Sequence, residues 1–245
     1  MRLTLFATAR DAADSLARHV VAFVREKPDL VLGLPTGRTP IRFYRELVRQ
    51  ARAGAVDLGR LVTFNLDEFL GVGPRHRGSY RFYMERHFFR QIGLPGDRAN
   101  FLDGMASDPR GECERYERAI AAFGGIDIQI LGIGGNGHIG FNEPGSWLEV
   151  RTHIVELRPE TRRANALLFD GDPVRVPREA LSMGVGTILG ARRILMLATG
   201  KEKARAVAKM VRGPLTTDVP ASLLQLHADV EVLLDAAAAS RLDRA

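Results

Sequence analysis

The residues best suited to chemistry lie in one glycine-rich stretch, residues 127–147, which reads Asp-Ile-Gln-Ile-Leu-Gly-Ile-Gly-Gly-Asn-Gly-His-Ile-Gly-Phe-Asn-Glu-Pro-Gly-Ser-Trp. An apolar run opens the stretch and predicts a buried strand, and six glycines then surround Asn136, His138 and Glu143. Glycines let the backbone adopt positive φ and approach a ligand closely. His138 can exchange a proton near neutral pH, and Glu143 can orient its imidazole. The alternative is a structural histidine in a turn, but the glycine density beside a carboxylate favours a functional loop.

A second polar group follows the apolar run at residues 30–34. It comprises Thr36, Gly37, Arg38 and Thr39, directly before a predicted helix. Backbone N–H groups at a helix start, together with two hydroxyls, form a natural phosphate cradle. An ordinary strand-to-helix turn with threonine caps explains the residues equally well. The segment lacks the Gly-Lys-Ser/Thr of a nucleotide-binding P-loop and the glycine spacing of a dinucleotide fingerprint.

A third polar group, Asp67 and Glu68, ends the apolar run at residues 61–66. Neighbouring residues of a strand point to opposite faces, so one carboxylate can enter a cleft while the other faces away, toward a cation. Spacing alone slightly favours a solvated strand end with a helix cap. An aspartate in a closed pocket would instead have a raised pKa and could serve as a general base.

Two cationic residues complete the candidates: Arg162, within residues 161–165, and Lys203, within residues 200–204. A lone basic residue is most often a surface charge, but either residue could clamp a phosphate. Lys203 gains weight because the chain has only four lysines against 31 arginines. The spacing of histidines and of the one cysteine, Cys113, matches no metal motif.

The elements that must position these residues alternate along the chain. Apolar runs predict strands at residues 2–7, 30–34, 61–66, 127–131, 151–156, 193–198 and 230–234. Helical spacing predicts helices at residues 11–26, 41–53, 79–89, 112–123, 177–183 and 201–211. This alternation predicts an α/β fold: a single domain over residues 1–245 with an open, mostly parallel, Rossmann-like sheet and helices on both faces. Ligands bind beyond the carboxyl ends of such strands, where the three polar groups fall.

Composition narrows the class of protein. The 245 residues are 45% apolar and 26% charged, with a net charge of +6. No apolar run is long enough to span a bilayer, and the first residues do not resemble a signal peptide, so we expect a cytoplasmic protein with no membrane partner. The arginines are scattered and no nucleic-acid-binding signature is present, which disfavours a nucleic-acid partner. The positive charge suits a small phosphorylated substrate.

Taken together in order, the motifs resemble those of the glucosamine/galactosamine-6-phosphate isomerase family over nearly the whole chain. The resemblance includes residues 32–40, 64–72, 79–89, 131–146, 161–165, 184–189, 200–204 and 220–227. The segment Gly-His-Ile-Gly-Phe-Asn-Glu-Pro-Gly, residues 137–145, is close to diagnostic. The related 6-phosphogluconolactonases share its glycine-rich beginning but not its Phe-Asn-Glu-Pro continuation.

The resemblance implies that glucosamine 6-phosphate and water give fructose 6-phosphate and ammonia, with no cofactor and no metal. It implies that Asp67 moves the proton between C2 and C1, and that His138 opens the sugar ring with support from Glu143 and Asn136. It also implies that residues 36–39, Arg162 and Lys203 bind the phosphate. The alternatives are galactosamine 6-phosphate as substrate, a lactonase, and a non-catalytic sugar-phosphate sensor, which would bind the sugar phosphate without releasing ammonia.

One departure from the family concerns regulation. Allosteric members carry a basic pair after the Asn-Glu-Pro motif, and the corresponding positions here are His153 and Val155. We therefore expect no activation by N-acetylglucosamine 6-phosphate, and a monomer or small homo-oligomer. Residues 158–177 are rich in loop residues and carry Arg162, so they are also the predicted lid over the substrate.

Overall fold

The computed structural model describes residues 1–242, which contain a seven-stranded and a three-stranded sheet. The strands are β1 (Arg2–Phe6), β2 (Val31–Leu34), β3 (Val62–Asn65), β4 (Asp67–Phe69), β5 (Ala99–Asn100), β6 (Ile128–Leu131), β7 (His153–Glu156), β8 (Glu179–Ser182), β9 (Arg193–Ala198) and β10 (Val230–Asp235). The large sheet has the order β1-β10-β9-β6-β2-β3-β5, and its strands are parallel. The small sheet, β4-β8-β7, is antiparallel.

The α-helices connect and cover these strands. They are α1 (Ala9–Glu26), α2 (Ile41–Arg52), α3 (Tyr80–Met84), α4 (Arg90–Ile92), α5 (Pro109–Ala122), α6 (Pro159–Asn165), α7 (Val185–Leu189), α8 (Ala204–Arg212) and α9 (Ala236–Ala239). A π-helical segment, Glu85–Phe89, joins α3 to α4. Short 3-10 helices cover Gly96–Arg98, Ala166–Phe169, Lys201–Lys203 and Pro220–Leu226.

Both faces of the large sheet are buried by helices, as the sequence predicts. Side chains on one face pack against α1, α2 and the segment that joins α3 to α4, and those on the other face pack against α5, α7, α8 and α9. Alternation along the central strands produces this division: Ile194 and Met196 of β9 face one side, and Leu195 and Leu197 the other. Strands covered on both faces read as continuous apolar runs, which is why they are visible in the sequence.

The small sheet is the part of the fold that differs most from the sequence-based expectation. The helix predicted at residues 177–183 is wrong, because Glu179–Ser182 form the central strand β8 of this sheet. Glutamate, alanine, leucine and methionine favour a helix, but pairing with β4 and β7 on either side overrides that propensity. The strand predicted at residues 151–156 is confirmed as β7, although it joins the small sheet instead of the large one.

No helix within residues 1–242 combines the length and the apolar character that crossing a bilayer requires.

Candidate active site

The predicted polar groups meet at the carboxyl edge of the large sheet. In the sheet, β2 lies between β3 and β6. The chain continues from β2 to β3 on one side, and the later strands β6, β9 and β10 lie on the other side. The order of strands therefore reverses between β2 and β6, and a crevice opens at such a switch point. The loop after β2 carries residues 36–39, the loop after β6 carries residues 136–143, and Asp67 begins the strand after β3.

The small sheet holds the glycine-rich loop against Asp67. Asp67 of β4 pairs with Ser182 of β8, and the Ser182 hydroxyl accepts a hydrogen bond from the Phe141 backbone N–H at 3.1 Å. The Asn142 side chain donates to the Met183 carbonyl at 2.8 Å. Gly140 adopts φ +57°, and a Cβ placed on it would lie 3.7 Å from Asp67 Oδ2. The loop bearing His138 thus passes directly beside the predicted base.

Three of the predicted residues, Asn136, His138 and Glu143, lie together in the structure. Asn136 Nδ2 donates to Glu143 Oε2 at 2.9 Å, and His138 Nδ1 lies 3.5 Å from the same oxygen. The other oxygen, Oε1, accepts a hydrogen bond from the Thr161 hydroxyl. Burial opposes ionisation, but His138, Thr161 and Asn136 together hold the pKa of Glu143 below its ordinary value. An ionised Glu143 stabilises a positively charged imidazole, which suits His138 to accept and return a proton.

Asp67 is buried, since only 7% of the residue is exposed to solvent. Burial, followed by the negative charge of Glu68, raises the pKa of Asp67 to about 8. The two carboxylates do face opposite ways along β4, but the expectation of a solvated strand end is wrong, because Glu68 is only 2% exposed. Within residues 1–242, Glu68 accepts hydrogen bonds from one hydroxyl and three backbone N–H groups and forms no ion pair with a cation.

Two tyrosine hydroxyls donate hydrogen bonds to the loop after β2. The Tyr44 hydroxyl donates to the Pro35 carbonyl at 2.5 Å, and the Tyr83 hydroxyl donates to the Gly37 carbonyl at 2.6 Å. Gly37 adopts φ +97°, which side chains other than glycine rarely accept. Since tyrosine hydroxyls occupy these two carbonyls, the backbone N–H groups and the hydroxyls of Thr36 and Thr39 are the groups of the turn that could bind an anion.

Two predicted phosphate ligands come together beside this loop. Burial lowers the pKa of Lys203, the Arg38 charge acts in the same direction, and Glu202 opposes them. Lys203 is partly buried, and neither it nor Arg38 forms an ion pair with any residue from 1 to 242. Neighbouring cations repel each other, so two cations that form no ion pair favour an anion between them.

Arg162 is placed differently. Its guanidinium donates to the backbone carbonyls of Pro173, Val174 and Val176, at 3.0 to 3.2 Å, and so ties α6 to the chain that follows it. Arg162 is predicted to bind the phosphate, and in the structure its helix contacts the site through the neighbouring Thr161. The contact between Thr161 and Glu143 carries no local sequence signal, since 18 positions separate the two residues.

No group of three or more histidine, cysteine, aspartate or glutamate side chains within residues 1–242 is arranged to hold a metal ion. The arrangement offers a buried carboxyl group with a raised pKa, a histidine–carboxylate pair and an adjacent cationic loop. These groups can move protons on a small phosphorylated molecule.

Fold and site together define the class of protein. The model of the family described as glucosamine-6-phosphate isomerases/6-phosphogluconolactonase matches residues 4–233. The chain belongs to this family, and the resemblance drawn from its motifs is confirmed.

Individual relatives agree with that assignment. The chain is 48% identical to a glucosamine-6-phosphate deaminase of Halothermothrix orenii, over 99% of this chain and 100% of the relative. It is 49% identical to glucosamine-6-phosphate deaminase 2 of Bacillus subtilis, over 95% of each. A solved monomeric glucosamine-6-phosphate deaminase superposes with a TM-score of 0.95 at 44% identity, covering 98% of this chain and 100% of the other. A 6-phosphogluconolactonase of Trypanosoma cruzi shares the fold at a TM-score of 0.81 and 21% identity, with 99% and 97% of the chains covered.

Proposed function

We propose that this protein is an enzyme that converts glucosamine 6-phosphate and water into fructose 6-phosphate and ammonia. The observation that carries the proposal is the enclosed Asp67 beside the loop that bears His138 and Glu143, next to the paired cations Arg38 and Lys203. Relatives with 48% and 49% identity over nearly their full length bear the name of this deaminase.

The first chemical step in this proposal is ring opening by His138. The imidazole takes the proton from the hydroxyl at C1 and returns a proton to the ring oxygen as the C1–O5 bond breaks, so no net proton is consumed. Glu143 stabilises the imidazolium that forms between these transfers, and Asn136 holds the carboxylate in place. The product is the open-chain aldehyde, in which the hydrogen on C2 becomes acidic.

The second step is isomerisation by Asp67. Its carboxylate takes the proton from C2, and the electron pair forms an enolamine between C2 and C1 as O1 takes up a proton. The proton from C2 is then delivered to C1 while the nitrogen gives up a proton, so no net proton is consumed. The resulting imine at C2 adds water and releases ammonia, giving the ketone of fructose 6-phosphate. A base with a pKa near 8 suits this step, because a stronger base takes the weakly acidic C2 proton more readily while remaining partly ionised near neutral pH.

These steps are proton transfers and the hydrolysis of an imine, so the proposal includes no redox cofactor and no metal. Overall the reaction cleaves a C–N bond with water, which places the enzyme among hydrolases acting on amino sugars. We also propose that Thr36, Gly37, Arg38, Thr39 and Lys203 bind the phosphate, with Arg162 as a further ligand. The same proposal places the enzyme in the cytoplasm, in amino sugar catabolism such as N-acetylglucosamine degradation.

We further propose that the enzyme is a monomer or small homo-oligomer without activation by N-acetylglucosamine 6-phosphate. The absence of a basic pair at His153 and Val155 supports this, as does the likeness to a solved deaminase described as monomeric. Sedimentation would give the mass in solution. A sigmoidal rate curve that became hyperbolic with the acetylated sugar phosphate would contradict the proposal.

The deciding experiment measures ammonia and fructose 6-phosphate released from glucosamine 6-phosphate by wild type, Asp67→Asn and Asp97→Asn. Asp97 is an exposed aspartate and serves as the matched control. We expect equal amounts of both products, with kcat reduced about 10²- to 10⁴-fold in Asp67→Asn alone. Turnover of galactosamine 6-phosphate only, or lactone hydrolysis that survives Asp67→Asn, would replace the proposal with the epimer or the lactonase.

A further inference from the structure

Glu68 is a buried carboxylate that the proposed chemistry does not use. It neighbours Asp67 on β4 but points to the other side of the strand, and it is 2% exposed. It accepts four hydrogen bonds, from Phe69 N at 2.9 Å, Ser79 Oγ at 2.7 Å, Tyr80 N at 3.0 Å and Arg81 N at 3.0 Å. Three of these donors belong to the first turn of α3 or its cap, so Glu68 fastens that helix to the strand that carries the base.

The same helix supports the phosphate loop. From α3, the Tyr83 hydroxyl holds the Gly37 carbonyl at 2.6 Å. The Tyr80 hydroxyl donates to Asn165 Oδ1 of α6 at 3.2 Å and has Thr36 as a second hydrogen-bonding neighbour. Through α3, Glu68 therefore connects the base on β4 with the loop that is proposed to bind the phosphate.

Helix capping alone does not account for a buried charge at this position. The Ser79 hydroxyl already caps α3, accepting from Arg81 N at 3.1 Å and Phe82 N at 3.4 Å. Burial of a carboxylate without a cationic partner is unfavourable, and burial raises the pKa of Glu68 against the hydrogen bonds that lower it. A costly charge that duplicates an existing cap points to a role beyond holding the helix.

The charge of Glu68 acts on Asp67 directly. It adds to burial in raising the pKa of Asp67 to about 8. The other titratable groups that sense Asp67 are the buried tyrosines Tyr44, Tyr80 and Tyr116, whose own pKa values burial raises well above their usual range, so they stay neutral. On its own side, Glu68 lines a groove that also contains Arg81, Arg115, Asp103 and Glu112.

We propose that Glu68 is a positioning residue for the deamination. It holds the strand of Asp67 and helix α3, which contacts the loop proposed to bind the phosphate, in a fixed relative position. Its charge also contributes to the electrostatic environment of Asp67. This inference rests on the proposed function. It assigns to a residue outside the crevice an effect on both substrate binding and proton transfer, which a purely structural cap would not have.

The test compares Glu68→Gln with Glu112→Gln. Glu112 is the matched control, since it is a buried carboxylate on the same groove that accepts hydrogen bonds from Asp103 N and Arg115. In Glu68→Gln we expect KM for glucosamine 6-phosphate to rise at least threefold. Loss of the like charge should also move the limb of the pH–rate profile that reports Asp67 to lower pH, by roughly one unit. Glu112→Gln should change neither quantity.

A folded Glu68→Gln variant with wild-type KM and an unmoved limb would overturn the inference, even if its melting temperature fell. If Glu68→Gln does not fold, Glu68→Asp decides, because it keeps the charge and withdraws the carboxylate from α3. A raised KM with an unmoved limb supports the inference, and wild-type kinetics overturn it.

Wild-type protein that releases no ammonia would overturn the proposed function alone. The inference is then judged by calorimetric binding of fructose 6-phosphate: weaker binding to Glu68→Gln than to Glu112→Gln supports it, and equal binding overturns it.

Discussion

The two sheets of this molecule differ in what holds them together and in what they carry. The large sheet is parallel and covered by helices on both faces, and apolar side chains form most of its buried surface, although polar side chains such as Gln129 and Glu231 are buried in it as well. The small sheet is antiparallel, and its strands β4 and β8 bury the polar side chains of Asp67, Glu68 and Ser182. Apolar burial stabilises the first, whereas burial of these polar groups in the second is unfavourable unless hydrogen bonds compensate it.

This difference separates stability from chemistry within one chain. The large sheet brings the loops after β2 and β6 to one edge, and the small sheet then fixes Asp67 and the glycine-rich loop relative to each other. Substitutions in the large sheet should therefore act on folding, and substitutions in the small sheet on turnover. Substitutions in either sheet, and in α6 beside the small sheet, can test that division.

The largest effect is expected from Leu233→Ala in β10. Leu233 is fully buried between the large sheet and α1, so the lost contacts and the cavity should lower the free energy of unfolding by about 2–5 kcal/mol. Chemical denaturation measures this loss. Leu5→Ala, at a leucine of the same sheet that is 58% exposed, is the control and should stay within about 0.5 kcal/mol of wild type. A kcat of Leu233→Ala well below wild type under folding conditions would break the division.

The next effect concerns Asp67 and pH. Because its pKa is raised to about 8, folded Asp67 keeps a proton that the unfolded chain releases above roughly pH 4. The stability from that proton is complete below the unfolded pKa and is lost as pH rises through the folded one, with a slope of up to about 1.4 kcal/mol per pH unit.

Between roughly pH 6 and 8, wild type should thus lose about 2–3 kcal/mol of unfolding free energy relative to Asp67→Asn. Urea denaturation at several pH values measures the difference, with Asp97→Asn as the exposed control. Parallel curves for wild type and Asp67→Asn would mean that Asp67 is ionised in the folded protein throughout this range.

The same contrast explains what the sequence predicts and what it does not. The strands of the large sheet can be recognised in the sequence as apolar runs because helices cover both of their faces. Strand β4 reads Asp-Glu-Phe and β8 reads Glu-Ala-Leu-Ser, and neither has the composition of a strand. Their pairing, which joins Asp67 to Ser182, depends on contacts between distant parts of the chain that local periodicity does not encode.

The residues of the site also differ in how far the sequence predicts them. Asn136, His138 and Glu143 share one loop, so their glycine-rich setting identifies them together. In the structure Asn136 donates a hydrogen bond to Glu143, and His138 Nδ1 lies 3.5 Å from the same carboxylate. Ser182 and Thr161 reach the site from β8 and α6, and no spacing in the sequence relates them to the loop. The roles assigned to Asp67 and Lys203 stay predictions, since their positions support but do not test them.

A smaller effect is expected from Ser182→Ala. The hydroxyl accepts the Phe141 N–H at 3.1 Å, and its loss leaves a buried donor unpaired at a cost of about 1–3 kcal/mol. We expect kcat to fall by roughly tenfold, because the loop that bears His138 loses its tether beside Asp67. Steady-state kinetics measure the change, and Ser240→Ala, on an exposed serine, is the control. An unstable but fully active Ser182→Ala protein would place Ser182 on the side of folding.

The smallest effect is expected from Thr161→Val, which removes the hydroxyl from Glu143 while keeping the shape of the side chain. Thr161 is one of the groups that hold the pKa of Glu143 down against burial, so the pKa should rise in the variant. A less ionised Glu143 supports the imidazolium of His138 less well, and we expect kcat to fall about threefold, mainly at the acid end of the pH–rate profile. Thr161→Ser should restore the wild-type profile because it restores the hydroxyl. Equal kcat and an unmoved acid limb in Thr161→Val would show that α6 contributes only packing to the site, and that β4 and β8 fix the geometry without it.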